Sequence, residues 1–204
     1  MSTHISMVGY SPEFLELNVE NRFIVVEGID GSGKTTLLNR MKNELTWQGK
    51  EVLVANDPPG EILRALLKHK LRKRKDAKLA VELLFDARRG LLENIILPAI
   101  ETGKHVLCDR FTASTYAYQG SGFGVCWDWI REVEIAKIGH VEPDATIFLD
   151  VPISTAMERV KNRGEVDAIE SNGHEFFESV IKGYNKYLFD GWLTKPVFRI
   201  NGGY

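Results

Sequence analysis

The chain has 204 residues, 44% hydrophobic and 26% charged, enough for one globular domain with a sizeable core. Its 26 basic and 28 acidic residues leave a formal charge of −2, so there is no global basic field to recruit nucleic acid. Two cysteines, Cys108 and Cys126, exclude a disulfide framework and point to a reducing, cytoplasmic setting, and no apolar run is long enough to span a membrane.

Residues 1–21 read as an extension before the fold, and 22–204 as a single domain. The extension carries Glu13, Glu16 and Glu20 and lacks a basic start followed by an apolar stretch, which argues against a secretory signal. The first strand is "FIVVE" at 23–27, followed by a helix over 34–48 that ends at Gly49. A second strand, "EVLVAN" at 51–56, leads to helices at about 60–74 and at 77–101, the latter with Pro98 near its end. Strand "HVLCD" at 105–109 runs into a Ser/Thr/Tyr/Gln-rich turn, then a helix over 127–138. Strand "ATIFLD" at 145–150, helices at 153–163 and 174–189, and strand "PVFRIN" at 196–201 complete the chain. Near-continuous apolar strands alternating with helices predict a parallel sheet with right-handed crossovers. Ligands of such sheets bind beyond the carboxyl ends of the strands. That singles out Gly28 to Thr35, Asp57 to Gly60, Asp109-Arg110, and Asp150 onward.

The first of these is a phosphate cradle. Gly28-Ile29-Asp30-Gly31-Ser32-Gly33-Lys34-Thr35-Thr36 matches G-x-x-x-x-G-K-[ST] between a strand and a helix. Its glycines let successive N–H groups face one anion, and the following helix adds its positive end. Lys34 can reach the β and γ phosphates of ATP, and the Thr35 hydroxyl can ligate Mg²⁺. Three classes share this motif. A GTPase switch needs an Asn-Lys-x-Asp guanine reader, and the one Asn-Lys here, Asn185-Lys186-Tyr187-Leu188, lacks the aspartate. An ATPase driving a partner often follows its Mg²⁺ aspartate with an acid that orients water, whereas Asp109 is followed by Arg110. A cation there serves a second anion, as in a kinase acting on a small phosphorylated acceptor.

"EGIDGSGKTT", "LLFDARR", "ILPAIETGKHVLCDR" with "DRFTASTYAYQG", "PDATIFLDV" and "RVKNRGEVDAIE" follow in this order. Together they closely resemble the thymidylate kinase family over about residues 22–190. The resemblance implies the P-loop nucleoside monophosphate kinase fold, an α/β five-stranded parallel sheet flanked by helices. It implies ATP-dependent phosphorylation of dTMP to dTDP with Mg²⁺, and commonly a homodimer, for which the 77–101 helix is the candidate interface. Neither nucleic acid nor membrane is implied as a partner. The alternatives are a broader deoxynucleoside monophosphate or deoxynucleoside kinase, and the P-loop ATPase.

By the same resemblance, Arg110 clamps the acceptor phosphate and Asp109 holds the Mg²⁺ shell. Asp30 contacts the sugar 3′-hydroxyl, and Ser114, Thr115, Tyr118 and Gln119 surround the acceptor. Phe85 stacks on the base while Arg89, one turn on, donates to its exocyclic oxygen. Arg88 departs from the commoner small or acidic residue, which leaves a one-residue shift of register open. A lid is implied at about 158–170. The P-loop position that carries an arginine in one branch of the family is Gly31 here, so the catalytic arginine is expected from the lid, as Arg163. After the second strand the family usually has Arg-Glu-Pro-Gly-Gly. This chain has Asn56-Asp57-Pro58-Pro59-Gly60 and about one helical turn fewer before Arg64, the match to a phosphate-contacting arginine. That departure keeps a less strict substrate choice open. The basic run "KHKLRKRKDAK" at 68–78 has no interleaved aromatic residue and reads as a solvated helix end.

Overall fold

The computed structural model describes residues 23–60, 74–139, 141–162 and 173–202. Its strands are β1 (Phe23–Glu27), β2 (Val52–Asn56), β3 (His105–Asp109), β4 (Ala145–Asp150) and β5 (Val197–Asn201). They form one sheet in the order β2-β3-β1-β4-β5. Every pairing is parallel, with Val25 opposite both Cys108 and Thr146. The expected five-stranded parallel sheet flanked by helices is the observed fold. The chain moves from β1 outward to β2 and returns through β3, then crosses β1 to reach β4. The loop leaving β1 therefore lies where the winding reverses, the place such sheets use for ligands.

Side-chain alternation explains why both faces are covered. Ile24 and Val26 of β1 point to helix α1 (Lys34–Trp47), packing with Leu37, Leu38, Met41 and Leu45. Phe23 and Val25 point the other way, onto Leu91, Leu92, Ile96 and Ala99. β2 and β5 are edge strands, and apart from the buried Ala55 and Ile200 their side chains are part-exposed or exposed.

The segment 77–101 is not one uninterrupted α-helix. Helix α2 (Ala77–Leu91) passes through a π turn, Leu92–Ile96, into α3 (Leu97–Glu101). Pro98 has no N–H for the carbonyl four residues back, and the turn widens so that the Leu97 N–H donates to the Leu92 carbonyl. The turn expected after Asp109-Arg110 is helical instead: α4 (Thr112–Thr115) continues as a π turn, Tyr116–Gly122. Its small and apolar buried positions Ala113, Tyr116, Ala117 and Gly120 are spaced as one helical face, and Thr112, Ser114 and Thr115 are buried as well. The hydroxyl residues between them, poor helix formers, masked that period.

Helices α5 (Trp127–Ile138), α6 (Ile153–Asn162) and α7 (Gly173–Phe189) complete the described layers. α7 lies so close to the 116–122 segment that a Cβ on Gly183 would meet Ser121 Oγ at 2.6 Å and the Ala117 Cα at 2.9 Å. This approach delivers the next residue, Tyr184, beneath the end of β1. Most of the helix expected at 60–74 lies outside the described residues, and the part inside, Arg74–Asp76, is a 3₁₀ turn.

Candidate active site

The cradle takes the shape its spacing requires. α1 begins at Lys34 directly after Gly33, whose φ is 101°, and no side chain caps it, so its first N–H groups are open to an anion. Lys34 is buried, and its ammonium donates to the carbonyls of Gly28 at 3.1 Å and Ile29 at 3.0 Å. Burial, reinforced by the Arg110 charge, lowers its pKa to about 8, against the pull of Asp30, Asp109 and Glu27. Ser32 is buried with an Oγ that has no hydrogen-bond partner among the described residues, while Thr35 and Thr36 are exposed.

Gly31 has φ 80°, and a Cβ there would sit 2.2 Å from the Ala156 carbonyl oxygen on α6. No side chain fits at that position without moving backbone, so an arginine cannot come from it. Arg159 of α6 also meets this loop, donating to the carbonyls of Gly31 at 3.5 Å and Gly202 at 3.2 Å. The candidate arginines Arg163 and Arg64 lie outside the described residues.

Arg110 stands opposite the cradle. Its Nη2 donates to Asp30 Oδ1 at 2.7 Å, joining the end of β3 to the P-loop. Its Nη1 donates to the Tyr184 hydroxyl at 3.0 Å, and its guanidinium lies 5.0 Å over the Tyr118 ring. Among described non-glycine residues only Arg110 has a positive φ, 68°. Such a backbone costs on the order of 1 kcal/mol and persists only where its surroundings enforce it. Here the Arg110 N–H donates to the Val26 carbonyl, the Cys108 thiol to the Arg110 carbonyl, and the Phe111 N–H to Glu27 Oε1 at 2.8 Å.

Glu27 was not singled out by the sequence. It is fully buried, and burial raises its pKa to about 7 against the nearby Arg110 charge. The signal was present: a carboxylate closing the otherwise apolar run "FIVVE", next to the cradle.

The expected base-reading pair, Phe85 and Arg89, is not brought together on one buried face. Phe85 is 0% exposed in the core, and its companion is Arg88, not Arg89. Arg88 Nε donates to Asp57 Oδ2 at 2.6 Å, and Nη2 to Thr115 Oγ1 at 3.0 Å and the Phe111 carbonyl at 3.3 Å. The guanidinium is sandwiched between the Phe85 and Phe111 rings, 4.7 and 5.1 Å from their centroids. Its Nη1 has no partner among the described residues, and neither has Asp57 Oδ1. Arg89 is half-exposed and, among the described residues, reaches only Asp86, at 3.9 Å, whose carboxylate already receives Lys137 at 2.7 Å. The reason is helical phase: the face that buries Leu84 and Phe85 carries residue 88, while 89 turns outward. Burial raises the Asp57 pKa, with Arg88 opposing.

Thr115 and Ser114 are buried; Ser114 Oγ donates to the Phe111 carbonyl at 2.9 Å. Tyr118 and Gln119 are half-buried on the same segment, and burial raises the Tyr118 pKa despite Arg110.

The residues present fit a Mg²⁺ ion. Asp109 Oδ1 is a buried carboxylate oxygen with no partner among the described residues. Among those residues no cluster of three or more His, Cys, Asp or Glu forms a protein cage for a metal. One carboxylate and the Thr35 hydroxyl make the sparse donor set that suits an ion sharing its shell with water and nucleotide phosphates.

Comparison with known proteins identifies the family. The family model for thymidylate kinase matches residues 26–195. A thymidylate kinase of Hahella chejuensis is 43% identical over 171 residues, covering 80% of this chain and 81% of that one. The thymidylate kinases of Nitrosospira multiformis and Teredinibacter turnerae are each 38% identical over 80–81% of this chain and 82% of theirs. With its P-loop, its strand-end Asp109-Arg110 and these relatives, the chain belongs to the thymidylate kinase family.

Proposed function

We propose that this protein transfers the terminal phosphoryl group of ATP to the 5′-phosphate of dTMP, releasing ADP and dTDP. The family membership supports the reaction class. The observation that carries the reading is the 2.7 Å pair between P-loop Asp30 and Arg110, which sets a second anion-binding cation beside the cradle. A phosphate acceptor is already an anion and needs no strong base. The obstacle is charge repulsion and misplacement, which fixed cations and donors relieve.

In this reading the backbone of Gly28 to Thr36 cradles the ATP phosphates, and Lys34 exchanges its two carbonyl partners for phosphate oxygens. Arg110 holds the dTMP phosphate, with Tyr118 under its guanidinium. Asp30 accepts from the sugar hydroxyl, and Ser114, Thr115, Tyr118 and Gln119 line the acceptor. Mg²⁺, held by Thr35 and Asp109, neutralises charge between the phosphates when bound. Arg88, with Nη1 unengaged among described residues, supplies the donor to the thymine carbonyl, and Asp57 fixes its plane. The lid arginine is Arg163, since Gly31 has no room for one; Arg64 adds a further phosphate contact. The enzyme works as a cytoplasmic homodimer, for which the exposed Leu79, Ile95 and Leu97 of the 77–101 segment offer an apolar face. Sedimentation of the parent and of a Leu97→Glu variant tests this: a dimer and a weakened dimer are expected.

The direct test is ADP release with and without dTMP. Acceptor-dependent turnover that disappears in Lys34→Ala, with an unchanged far-UV spectrum, supports the kinase. Turnover without an acceptor favours the ATPase.

A further inference from the structure

We infer that Glu27 and Tyr184 are positioning residues for Arg110, forming a relay that fixes both its backbone and its guanidinium for the acceptor phosphate. The inference rests on the proposed role of Arg110 as the acceptor clamp. The relay has one direction. Arg110 Nη1 donates to the Tyr184 hydroxyl at 3.0 Å, and that hydroxyl donates to Glu27 Oε2 at 3.1 Å. The other carboxylate oxygen, Oε1, accepts the Phe111 N–H at 2.8 Å, one residue beyond the left-handed Arg110. One buried carboxylate thus holds the peptide that forces the Arg110 backbone out of its preferred region and the hydroxyl that aims its side chain.

Neither residue is needed for packing in the form it has. Tyr184 lies in the core with its ring 5.2 Å from Phe148 and 6.3 Å from Tyr118, contacts a phenylalanine would also make. Its hydroxyl is the added feature, and it is used twice. Glu27 ends a strand whose other side chains, Phe23 to Val26, are all buried and apolar. A buried carboxylate at that position is costly unless its hydrogen bonds serve something. The second Arg110 nitrogen, Nη2, is held by Asp30, an exposed residue on the loop that must also receive substrate. When a phosphate competes for Nη2, the relay through Nη1 keeps the guanidinium in place.

The test compares binding of dTMP with binding of thymidine, which lacks the phosphate, in the parent, Tyr184→Phe, Glu27→Gln, Arg110→Ala and the Arg110→Ala/Tyr184→Phe double variant. Thermal unfolding confirms that each is folded. Hydrogen bonds to charged groups of this kind lead to an expected loss of about tenfold or more in dTMP affinity for Tyr184→Phe and for Glu27→Gln. Thymidine affinity should change by less than about twofold, and the double variant should bind dTMP no worse than Arg110→Ala alone. If Arg110→Ala binds dTMP as the parent does, the clamp reading itself fails. If Arg110→Ala is weakened but Tyr184→Phe and Glu27→Gln are not, the relay is overturned and the clamp stands. Equal losses for dTMP and thymidine, or losses that add in the double variant, also overturn the relay. Should Glu27→Gln fail to fold, the Tyr184→Phe arm decides alone.

Discussion

Single side chains at this site are held by specific partners, and their substitutions should separate cleanly. Arg88→Lys keeps a cation for Asp57 but loses the flat guanidinium, so it should fold and lose base discrimination. In the proposed reading, thymine would present a carbonyl oxygen to Arg88 where cytosine would present an amino donor. A mismatch leaves donors unpaired at roughly 1–3 kcal/mol per buried group. The ratio of kcat/KM for dTMP over dCMP should therefore be large in the parent, shrink at least tenfold in Arg88→Lys, and stay within about threefold in Arg89→Ala. A large effect of Arg89 with none of Arg88 would return the base-reading role to Arg89. Gly31→Ala should lower the unfolding temperature by several degrees, because its Cβ meets the Ala156 carbonyl at 2.2 Å.

Glu27 gives a pH signature. Its pKa rises from an ordinary 4.5 to about 7 through burial, opposed by Arg110, the Phe111 N–H, Tyr184 and Lys34. A carboxyl with a raised folded-state pKa binds its proton more tightly when folded. Its contribution to stability is therefore lost as pH climbs from about 4.5 to about 7, by at most about 3 kcal/mol. Glu27→Gln should remove that slope: its stability relative to the parent should improve between pH 5 and pH 7.5, measured by urea unfolding. An unchanged difference across that range would mean the carboxyl titrates normally.

At the scale of elements, the strands were legible because burial on both faces writes a nearly continuous apolar run, and the cradle because its glycines and lysine have fixed spacing. α1 was legible through Leu37, Leu38, Met41 and Leu45, which fall on one face. Met41→Ala, at 0% exposure between α1 and the sheet, should cost about 2–5 kcal/mol in urea unfolding. What stayed hidden depends on geometry that no spacing rule carries. The helix over 112–122 was concealed by hydroxyl side chains that bond locally, as Ser114 does to Phe111. The phase of α2 buries Arg88 and turns Arg89 outward, a difference of one position that the i and i+4 spacing of the motif does not reveal. Tyr184 comes from a helix more than seventy residues beyond Arg110 in sequence, brought in by the close approach at Gly183. Pairings of that separation leave no local trace.

Across the described residues, most of the buried charged groups and the one left-handed non-glycine residue gather at one end of the sheet, while Glu134, bonded by Tyr116, and His105, at the start of β3, lie elsewhere. Glu27, Lys34, Asp57 and Arg88 are all buried polar residues at or near the carboxyl ends of β1 and β2 or facing them. Asp109 and the left-handed Arg110 extend β3 into the same place. A fold gains nothing from concentrating such groups, and their convergence is what an anion-transfer site requires. The two anions it serves would sit on opposite sides of the Asp30–Arg110 pair, ATP in the cradle and dTMP beyond the arginine. The measurement that tests this most directly is the steady-state rate of ADP formation from MgATP, with dTMP, with dCMP and with no acceptor. The account predicts rapid ADP release with dTMP, at least a hundredfold less with dCMP, and essentially none without an acceptor. ADP release at the same rate whether or not dTMP is present would contradict it.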